Sequence, residues 1–252
     1  MAIFAALYGL LSYLFFLATF VYAIGFVGNL PLLPKTIDSG ATAPLIETLV
    51  IDLALLGLFA VQHSVMARRG FKRWWTRVIP ESMERSTFVL AATAALALLL
   101  WQWRPIAEPV IWSVSDPVAR FVLHGVFWLG WGVLLISTFL INHFELFGLR
   151  QVWANLRGQT LPVPEFRTPL FYRHVRHPIY LGFVLAFWAT PQMTAGHLLF
   201  AAACTGYILI GIWFEERDLV ALFGQRYQVY RQQVGMLLPK LGRRNRQGPA
   251  QS

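Results

Sequence analysis

Charged residues are scarce in this chain, and cysteine is nearly absent. Only 13% of the 252 residues are Asp, Glu, Lys or Arg, whereas a soluble domain carries about a quarter. The single cysteine, Cys204, excludes an internal disulfide, and we expect it to be a small core residue. The sequence also lacks a His-Glu-x-x-His motif, paired cysteines, a glycine-rich phosphate loop and a nucleophile elbow, so it predicts no metal site.

Apolar sequence is abundant instead, at 57% of the chain. A helix needs about 20 apolar residues to cross a hydrocarbon core of about 30 Å. We therefore predict an all-α fold, a polytopic transmembrane helix bundle forming a single membrane domain over residues 1–252. It has four spans, a C-terminal helical hairpin and a cytoplasmic amphipathic helix. The predicted segments are 4–28, 44–66, 86–103 and 119–141 for the spans and 178–214 for the hairpin.

The hairpin is predicted because segment 178–214 is too long for one ordinary span. Pro191 and Gly196 lie in its middle, where proline removes a backbone donor and glycine permits a turn, so each arm is near the lower length limit for a span. The stretch 215–238 has apolar residues near helical spacing, interrupted by Gly224, and is predicted to lie under the bundle. The basic, polar segment 243–252 is predicted to be disordered.

The basic residues predict the orientation. Of the 21 Lys and Arg residues, 18 fall in the linkers 68–85 and 150–176 or after residue 215. Because positively charged loops stay in the cytoplasm, we expect both termini to be cytoplasmic and the protein to reside in a bacterial inner membrane. The net charge of +9 is then explained without nucleic acid, for which no binding motif is present. The bilayer is the expected partner, and no obligate protein partner is evident.

Polar residues lie at both mouths of the predicted hairpin. His177 precedes Pro178 and is expected to cap a helix whose positive end attracts anionic or carbonyl oxygens. Glu215 and Glu216 are expected at the C-terminal end of the second arm, where the helix dipole disfavours anions. They would therefore need arginine partners or a cationic ligand. The simpler alternative is an interfacial histidine and a solvated acidic pair.

A further polar cluster closes the fourth predicted span. On a continuous helix, Asn142 and Glu145 share one face, and His143 and Phe147 share another. His63 reaches the same leaflet, and it either faces a common cavity with His143 or lies at the interface. Asp52 is deeper, where a charge is costly without a partner that the sequence does not identify.

The chain resembles the isoprenylcysteine carboxyl methyltransferase superfamily over about its last 80 residues. The resemblance is carried by the order and spacing of the segments 176–182 (RHPIYLG), 215–216 (EE), 223–230 (FGQRYQVY) and 234–239 (VGMLLP). The remainder is similar to the methanethiol S-methyltransferase branch of that superfamily. The supporting stretches are 29–40, 62–66 (QHSVM), 71–75 (FKRWW) and 138–153.

The resemblance implies an enzyme that binds S-adenosylmethionine from the cytoplasmic side, between the hairpin and the C-terminal helix, within residues 172–239. The implied cofactor-binding residues are His177, Tyr180, Glu216, Glu215, Arg176, Tyr172 and Gly182. The implied reaction is direct methyl transfer to methanethiol, giving dimethyl sulfide. The acceptor thiol reacts best near its thiolate form. The candidate catalytic residues are His143 as a proton acceptor, Arg150 as a positive charge, Glu145 and Asn142.

Two other functions remain open at this level. The same scaffold serves other methyl acceptors, such as an isoprenylcysteine carboxylate or another small thiol. A protein of a different class would be a non-enzymatic haem-binding or transport protein that uses His63, His124 and His143. However, His124 is more than four turns from His143 along the predicted span, which argues against one shared haem site.

Overall fold

The computed structural model describes residues 1–162 and 165–240, so the predicted disordered segment 243–252 lies outside the described residues. Within these ranges the chain forms ten α-helices, a 3-10 turn at Leu170–Arg173 and two short strands. The helices are α1 (Ala2–Val27), α2 (Leu45–Ala67), α3 (Arg69–Trp75), α4 (Glu81–Gln102), α5 (Pro117–Ile141), α6 (His143–Leu146), α7 (Leu149–Leu156), α8 (Pro178–Trp188), α9 (Ala195–Phe223) and α10 (Gln225–Gln233). The strands are β1 (Val110–Ser113) and β2 (Gln192–Thr194).

Five helices, α1, α2, α4, α5 and α9, are long and apolar enough to cross a membrane, which confirms the predicted all-α polytopic bundle. Helix α4 begins at Glu81, five residues before the predicted start. Its first turn carries Glu81 and Glu84, which the positive end of a helix stabilises, so the helix extends into charged sequence that hydropathy alone reads as a linker.

The two arms of the C-terminal hairpin differ strongly in length. Helix α8 has 11 residues, about 16 Å at 1.5 Å per residue, and is too short to cross a membrane alone. Helix α9 has 29 residues and continues seven residues beyond Glu216. The expectation that Glu215 and Glu216 stand at the C-terminal end of an arm was therefore wrong, and the helix dipole does not act against them there.

The short arm is held by a close backbone crossing with α5. Gly130 of α5 faces Gly182 of α8, and a Cβ on Gly182 would lie 2.6 Å from the Gly130 carbonyl oxygen. Glycine is needed at both positions because only hydrogen fits between the two helices. The crossing joins a buried apolar core, in which Trp131 packs edge-on against Phe20, Phe183 and Phe187.

One end of the bundle is closed by polar contacts from the loops and the hairpin turn. Strands β1 and β2 pair antiparallel beside the turn between α8 and α9. The side chain of Asp38 accepts hydrogen bonds from Asn29 and Thr194 at 2.5 Å each. Asp52, fully buried, accepts a hydrogen bond from the Arg104 backbone N–H at 2.9 Å, which identifies a partner for this carboxylate.

The opposite end carries most of the basic residues, and we call it the basic end. Its described parts are the linker residues 68–80, 142–162 and 165–177 and the residues 224–240 that follow α9. Contacts bring these parts together, since Arg85 donates to the Leu146 carbonyl and Val175 bridges to Gly235. The predicted amphipathic helix is divided at Gly224, whose φ of +57° ends α9 and allows α10 to begin in a new direction.

We expect Gly130→Ala to lower the free energy of unfolding by about 1–3 kcal/mol, the usual cost of overpacking. Its Cβ would lie 2.7 Å from the Gly182 carbonyl oxygen and 2.8 Å from the Ala186 nitrogen, and neither backbone atom can move aside cheaply. Gly132→Ala is the matched control in the same helix, because nothing lies within 4 Å of its Cβ position. Thermal unfolding in detergent micelles compares the variants, and equal midpoints would contradict the close crossing.

Candidate active site

The segment after α10 is attached to the entry of α8 by backbone hydrogen bonds. The Arg176 N–H donates to the Gly235 carbonyl at 2.8 Å, and the His177 N–H donates to the Met236 carbonyl at 3.2 Å. Gly235 is buried so closely that a Cβ there would collide with the Leu238 carbonyl oxygen. The C-terminal segment is therefore fixed against the base of the hairpin.

Side chains from three segments, the entry of α8, α9 and α10, meet at the carboxylate of Glu216. Arg176 Nε donates to Glu216 Oε1 at 2.7 Å, and His177 Nε2 lies 3.2 Å from the same oxygen. Arg231 of α10 lies 3.7 Å from Oε2, and Arg176 also donates to the Val234 carbonyl at 2.5 Å. Because the side chains of Arg176 and Glu216 are only 9% and 12% exposed, their ion pair is largely shielded from water. We call these residues the Glu216 cluster.

Glu215 adds a second carboxylate beside the Glu216 cluster. Its side chain is partly exposed, yet its Oε2 atom is buried and has no hydrogen-bond partner among the described residues. That oxygen lies 3.8 Å from His177 Nδ1, and the carboxylate also interacts with the phenol of Tyr180. His177 is the residue before α8, as predicted, but its side chain turns toward the two glutamates and makes no capping bond. Glu215 therefore presents a hydrogen-bond acceptor that no described residue uses, next to the buried imidazole of His177.

Tyrosines line the cluster on the side of α10. Tyr230 donates to the Tyr172 carbonyl at 2.5 Å, and Tyr172 donates to the Ser137 carbonyl at 3.4 Å. Burial raises the pKa of Tyr230 to about 12, with Arg176 opposing and Glu216 adding to the shift. Burial also raises the pKa of Tyr172 and of Tyr227, whose buried hydroxyl has no partner among the described residues. These phenols stay protonated and can donate hydrogen bonds at any physiological pH.

The second predicted cluster lies elsewhere on the basic end. Helix α5 ends at Ile141 because Asn142 is fully extended, so the continuous helix assumed from the sequence is broken there. Asn142 still donates to Glu145 Oε2 at 2.6 Å, and Arg150 donates to the same oxygen at 2.7 Å. Asn142 and Glu145 line an open groove of about 850 Å³ together with polar residues of α3, α4 and α7.

His143 is turned away from that groove and is buried among aromatic rings. Its Nδ1 lies 2.8 Å from Thr138 Oγ1, and its Nε2 lies 2.8 Å from the hydroxyl of Tyr13. The Thr138 hydroxyl donates to the Leu135 carbonyl, so it accepts from Nδ1–H, and Tyr13 then donates to Nε2. Both ring nitrogens are occupied, which leaves His143 no free lone pair for a substrate proton.

The structure thus separates the predicted residues into different environments. Arg176, His177, Tyr180, Glu215 and Glu216 come together. Within residues 1–162 and 165–240, no hydrogen bond or ion pair joins them to the Asn142–Glu145–Arg150 cluster.

Three other predicted residues lie apart from both clusters. Gly182 lies at the crossing with α5. His63 contacts Phe59, Phe88 and Tyr207, none of which contacts the His143 ring, and His124 is exposed on α5.

Sequence reasoning missed Arg231 and Tyr227 at this site. The available signal was helical spacing. Tyr230 and Arg231 follow Tyr227 by three and four residues in the helix after Gly224, so each shares a face of the helix with Tyr227. The backbone contacts of Gly235 and Met236 left no such signal, because they join residues nearly 60 positions apart.

The chain is similar to proteins of known activity. It is 60% identical over 233 residues to a methanethiol S-methyltransferase of Mycobacterium tuberculosis, covering 92% of this chain and 95% of that protein. It is 56% identical over 235 residues to methanethiol S-methyltransferase 1 of Bradyrhizobium diazoefficiens, covering 93% and 82%. A more distant similarity, 30% identity over 239 residues, relates it to nurim of Bos taurus, covering 83% and 89%. No protein-family model and no solved structure matches the chain.

The buried His143 predicts a pH dependence of stability. Burial lowers the pKa of His143, so the unfolded chain binds a proton at this residue more readily than the folded protein does. The resulting stability is fully present above the unfolded pKa of about 6.5 and is lost as the pH falls below it. We expect the unfolding midpoint of the wild type to fall more steeply between about pH 7.5 and pH 5.5 than that of His143→Gln.

His124→Gln is the control, because this histidine is exposed and the chemical change is the same. Its midpoint should follow the wild type across the titration. Parallel curves for the wild type and His143→Gln would contradict the buried, neutral state of His143.

Proposed function

The chain belongs to the methanethiol S-methyltransferase family, and from that premise we propose that it transfers a methyl group from S-adenosylmethionine to methanethiol, giving dimethyl sulfide. Family membership makes it a methyltransferase, and its five long apolar helices make it an integral membrane protein. The observation that carries the proposal for the donor is the Glu216 cluster with the adjacent Glu215 at the basic end of the bundle. Together they present two carboxylates, an imidazole and two guanidinium groups, of which Arg176, His177 and Glu216 are largely buried.

The residues of the cluster fit such a donor. The unpartnered oxygen of Glu215 is an acceptor for a ribose hydroxyl or an ammonium group, and Glu216 is a second one. Arg176 and His177, which contact Glu216 and Glu215 here, have N–H groups that suit the carboxylate of the methyl donor. The aromatic face of Tyr180, 5.7 Å from the His177 ring, suits a sulfonium through cation–π attraction. S-adenosylmethionine supplies an electrophilic methyl group, activated by the positive charge on its sulfur.

The remaining contributions come from the protein. The segment after α10 closes the site at the basic end, and the apolar helices exclude water from the reacting groups. The cluster fixes the donor at the base of the hairpin, so that an acceptor held among the helices can attack in line. Methanethiol is small and apolar and can reach such a place through the lipid. We also propose that Gly182 contributes by packing α8 against α5 rather than by contact with the donor.

The orientation belongs to the same proposal. Of the 21 Lys and Arg residues in the sequence, 18 fall in the linkers 68–85 and 150–176 or after residue 215, so the basic end is proposed to face the cytoplasm of a bacterial inner membrane, where S-adenosylmethionine is made and consumed. The four long helices α1, α2, α4 and α5 return the chain to the side on which it starts, and the hairpin of α8 and α9 leaves from that side and returns to it. In this proposal both termini therefore lie on the cytoplasmic side.

We expect Glu216→Gln to weaken donor binding by about 10- to 100-fold, because a hydrogen bond to a charged group contributes about 1.5–3 kcal/mol. The donor dissociation constant is measured by calorimetry, and dimethyl sulfide is followed in the headspace by gas chromatography after methanethiol is added. Glu165→Gln is the control, since that carboxylate is 70% exposed, pairs only with Arg167 among the described residues, and should leave both values unchanged.

The same two measurements on the wild-type protein test the methyl donor and the methyl acceptor separately. Donor binding without dimethyl sulfide would leave the methyltransferase site in place and make methanethiol the wrong acceptor. Absence of donor binding in the folded protein would overturn the assignment of S-adenosylmethionine to this chain.

A further inference from the structure

Three arginines in and directly after α3 have no partner among the described residues. Most basic side chains at the basic end contact a carboxylate, a carbonyl oxygen or an aromatic ring. Within residues 1–162 and 165–240, the side chains of Arg69, Arg73, Arg77 and Arg226 make no hydrogen bond, ion pair or ring contact, and all four are exposed. Three of these four therefore lie in one short stretch, just after the membrane-spanning helix α2 ends at Ala67.

The spacing of the three arginines places them in a row. Arg69 and Arg73 are four residues apart in α3, so they share one face of that helix. The Arg77 N–H donates to the Trp74 carbonyl at 3.1 Å, which continues the turn past the end of α3 and puts Arg77 one turn further along. We call Arg69, Arg73 and Arg77 the arginine row, and it extends over about 12 Å at 1.5 Å per residue.

An exposed apolar edge runs beside the arginine row. Trp74 is 53% exposed and Val78 is 67% exposed, and each directly follows an arginine of the row. Trp74 is held by Phe71 and Trp75, whose ring centres lie 5.4 and 5.6 Å from its own. Tryptophan is typical of the boundary between lipid headgroups and hydrocarbon, because its ring is apolar and its N–H is polar. Cationic and apolar side chains thus lie together at the end of a membrane-spanning helix.

The contacts of α3 with the bundle leave the arginine row facing outward. Lys72 lies 4.0 Å from Glu84 of α4, and the Arg68 guanidinium lies over the Phe214 ring of α9 at 4.1 Å. These two cations therefore have partners on neighbouring helices, whereas the row has none among the described residues. The linker 68–80 also contains no Asp or Glu, so the row has no carboxylate of its own segment to neutralise it.

We propose that the arginine row, with Trp74 and Val78, binds the headgroups of anionic phospholipids in the leaflet at the basic end. Guanidinium groups suit phosphate oxygens, to which they donate two parallel hydrogen bonds. A phospholipid fits both parts of the surface at once, because its phosphate meets the row while its glycerol and acyl chains cover Trp74 and Val78. A free phosphate ion would leave the apolar edge exposed to water. This binding is independent of the methyl donor and the methyl acceptor.

The binding test uses the full-length protein in a neutral detergent and native mass spectrometry with phosphatidylglycerol. Phosphatidylcholine with the same acyl chains is the zwitterionic reference and should bind more weakly. We expect the combined variant Arg69→Gln, Arg73→Gln and Arg77→Gln to bind phosphatidylglycerol about 100-fold more weakly than the wild type, because each arginine near an anionic surface contributes about fivefold. Lysine at the same three positions keeps the charge and should restore most of the affinity.

Arg226→Gln is the matched control. It removes an exposed arginine of the basic end that also lacks a partner among the described residues but lies outside the arginine row. Its affinity for phosphatidylglycerol should equal that of the wild type.

A second readout is the thermal unfolding midpoint, because a ligand that binds the folded protein stabilises it. Phosphatidylglycerol should raise the midpoint of the wild type and of Arg226→Gln, and it should not raise that of the triple glutamine variant. Without lipid the three proteins should unfold at the same temperature, since the replaced side chains contact no described residue. Equal midpoints without lipid also show that the variants fold.

Four results would overturn the inference. The triple glutamine variant could bind phosphatidylglycerol as tightly as the wild type, or the wild type could bind phosphatidylcholine as tightly as phosphatidylglycerol. An equal loss of affinity in Arg226→Gln would show that binding follows total charge and not the arginine row. Displacement of the lipid by inorganic phosphate, with chloride at the same ionic strength as reference, would identify a site for the free ion instead of a lipid surface.

Discussion

The ion pair between Arg176 and Glu216 organises the basic end of this membrane protein. It joins the entry of α8 to α9, and Arg176 extends the connection to the carbonyl of Val234. A carboxylate so little exposed to water is costly unless it is paired, and removing one partner of such a pair typically destabilises a protein by about 3–5 kcal/mol. The cost is met here by Arg176, His177 and Arg231 together, and the same groups form the proposed donor site.

The short arm α8 makes that arrangement possible. The first turn of α8 lies at the basic end, and its last turn leads into the hairpin turn with β2, which pairs with β1 at the opposite end of the bundle. The glycine crossing with α5 fixes its depth. Helix α9 is long enough to pass through the buried core and still carry Glu215 and Glu216 at the basic end, so one helix links the core to the proposed donor site.

Hydropathy and the turn residues were sufficient to predict the helical bundle and its hairpin, and Pro178 was sufficient to predict that His177 precedes α8. The sequence prediction of where α9 ends was wrong, because Glu215 and Glu216 resembled the end of a helix. Their charges are in fact compensated by residues distant in sequence, so the helix continues past them. The fate of His143 was also unreadable, since its partner Tyr13 lies 130 residues away. Likewise, the partner of Asp52 is a backbone N–H, which any residue except proline could supply. Resemblance selected the residues around Glu216.

The most direct test of the central claim is an experimental structure of the protein with S-adenosylmethionine bound. The account predicts that oxygen or nitrogen atoms of S-adenosylmethionine lie within about 2.7–3.2 Å of the Glu216 and His177 side chains, and that its methyl group is directed toward Tyr180. A donor bound instead in the groove lined by Asn142 and Glu145 would contradict it.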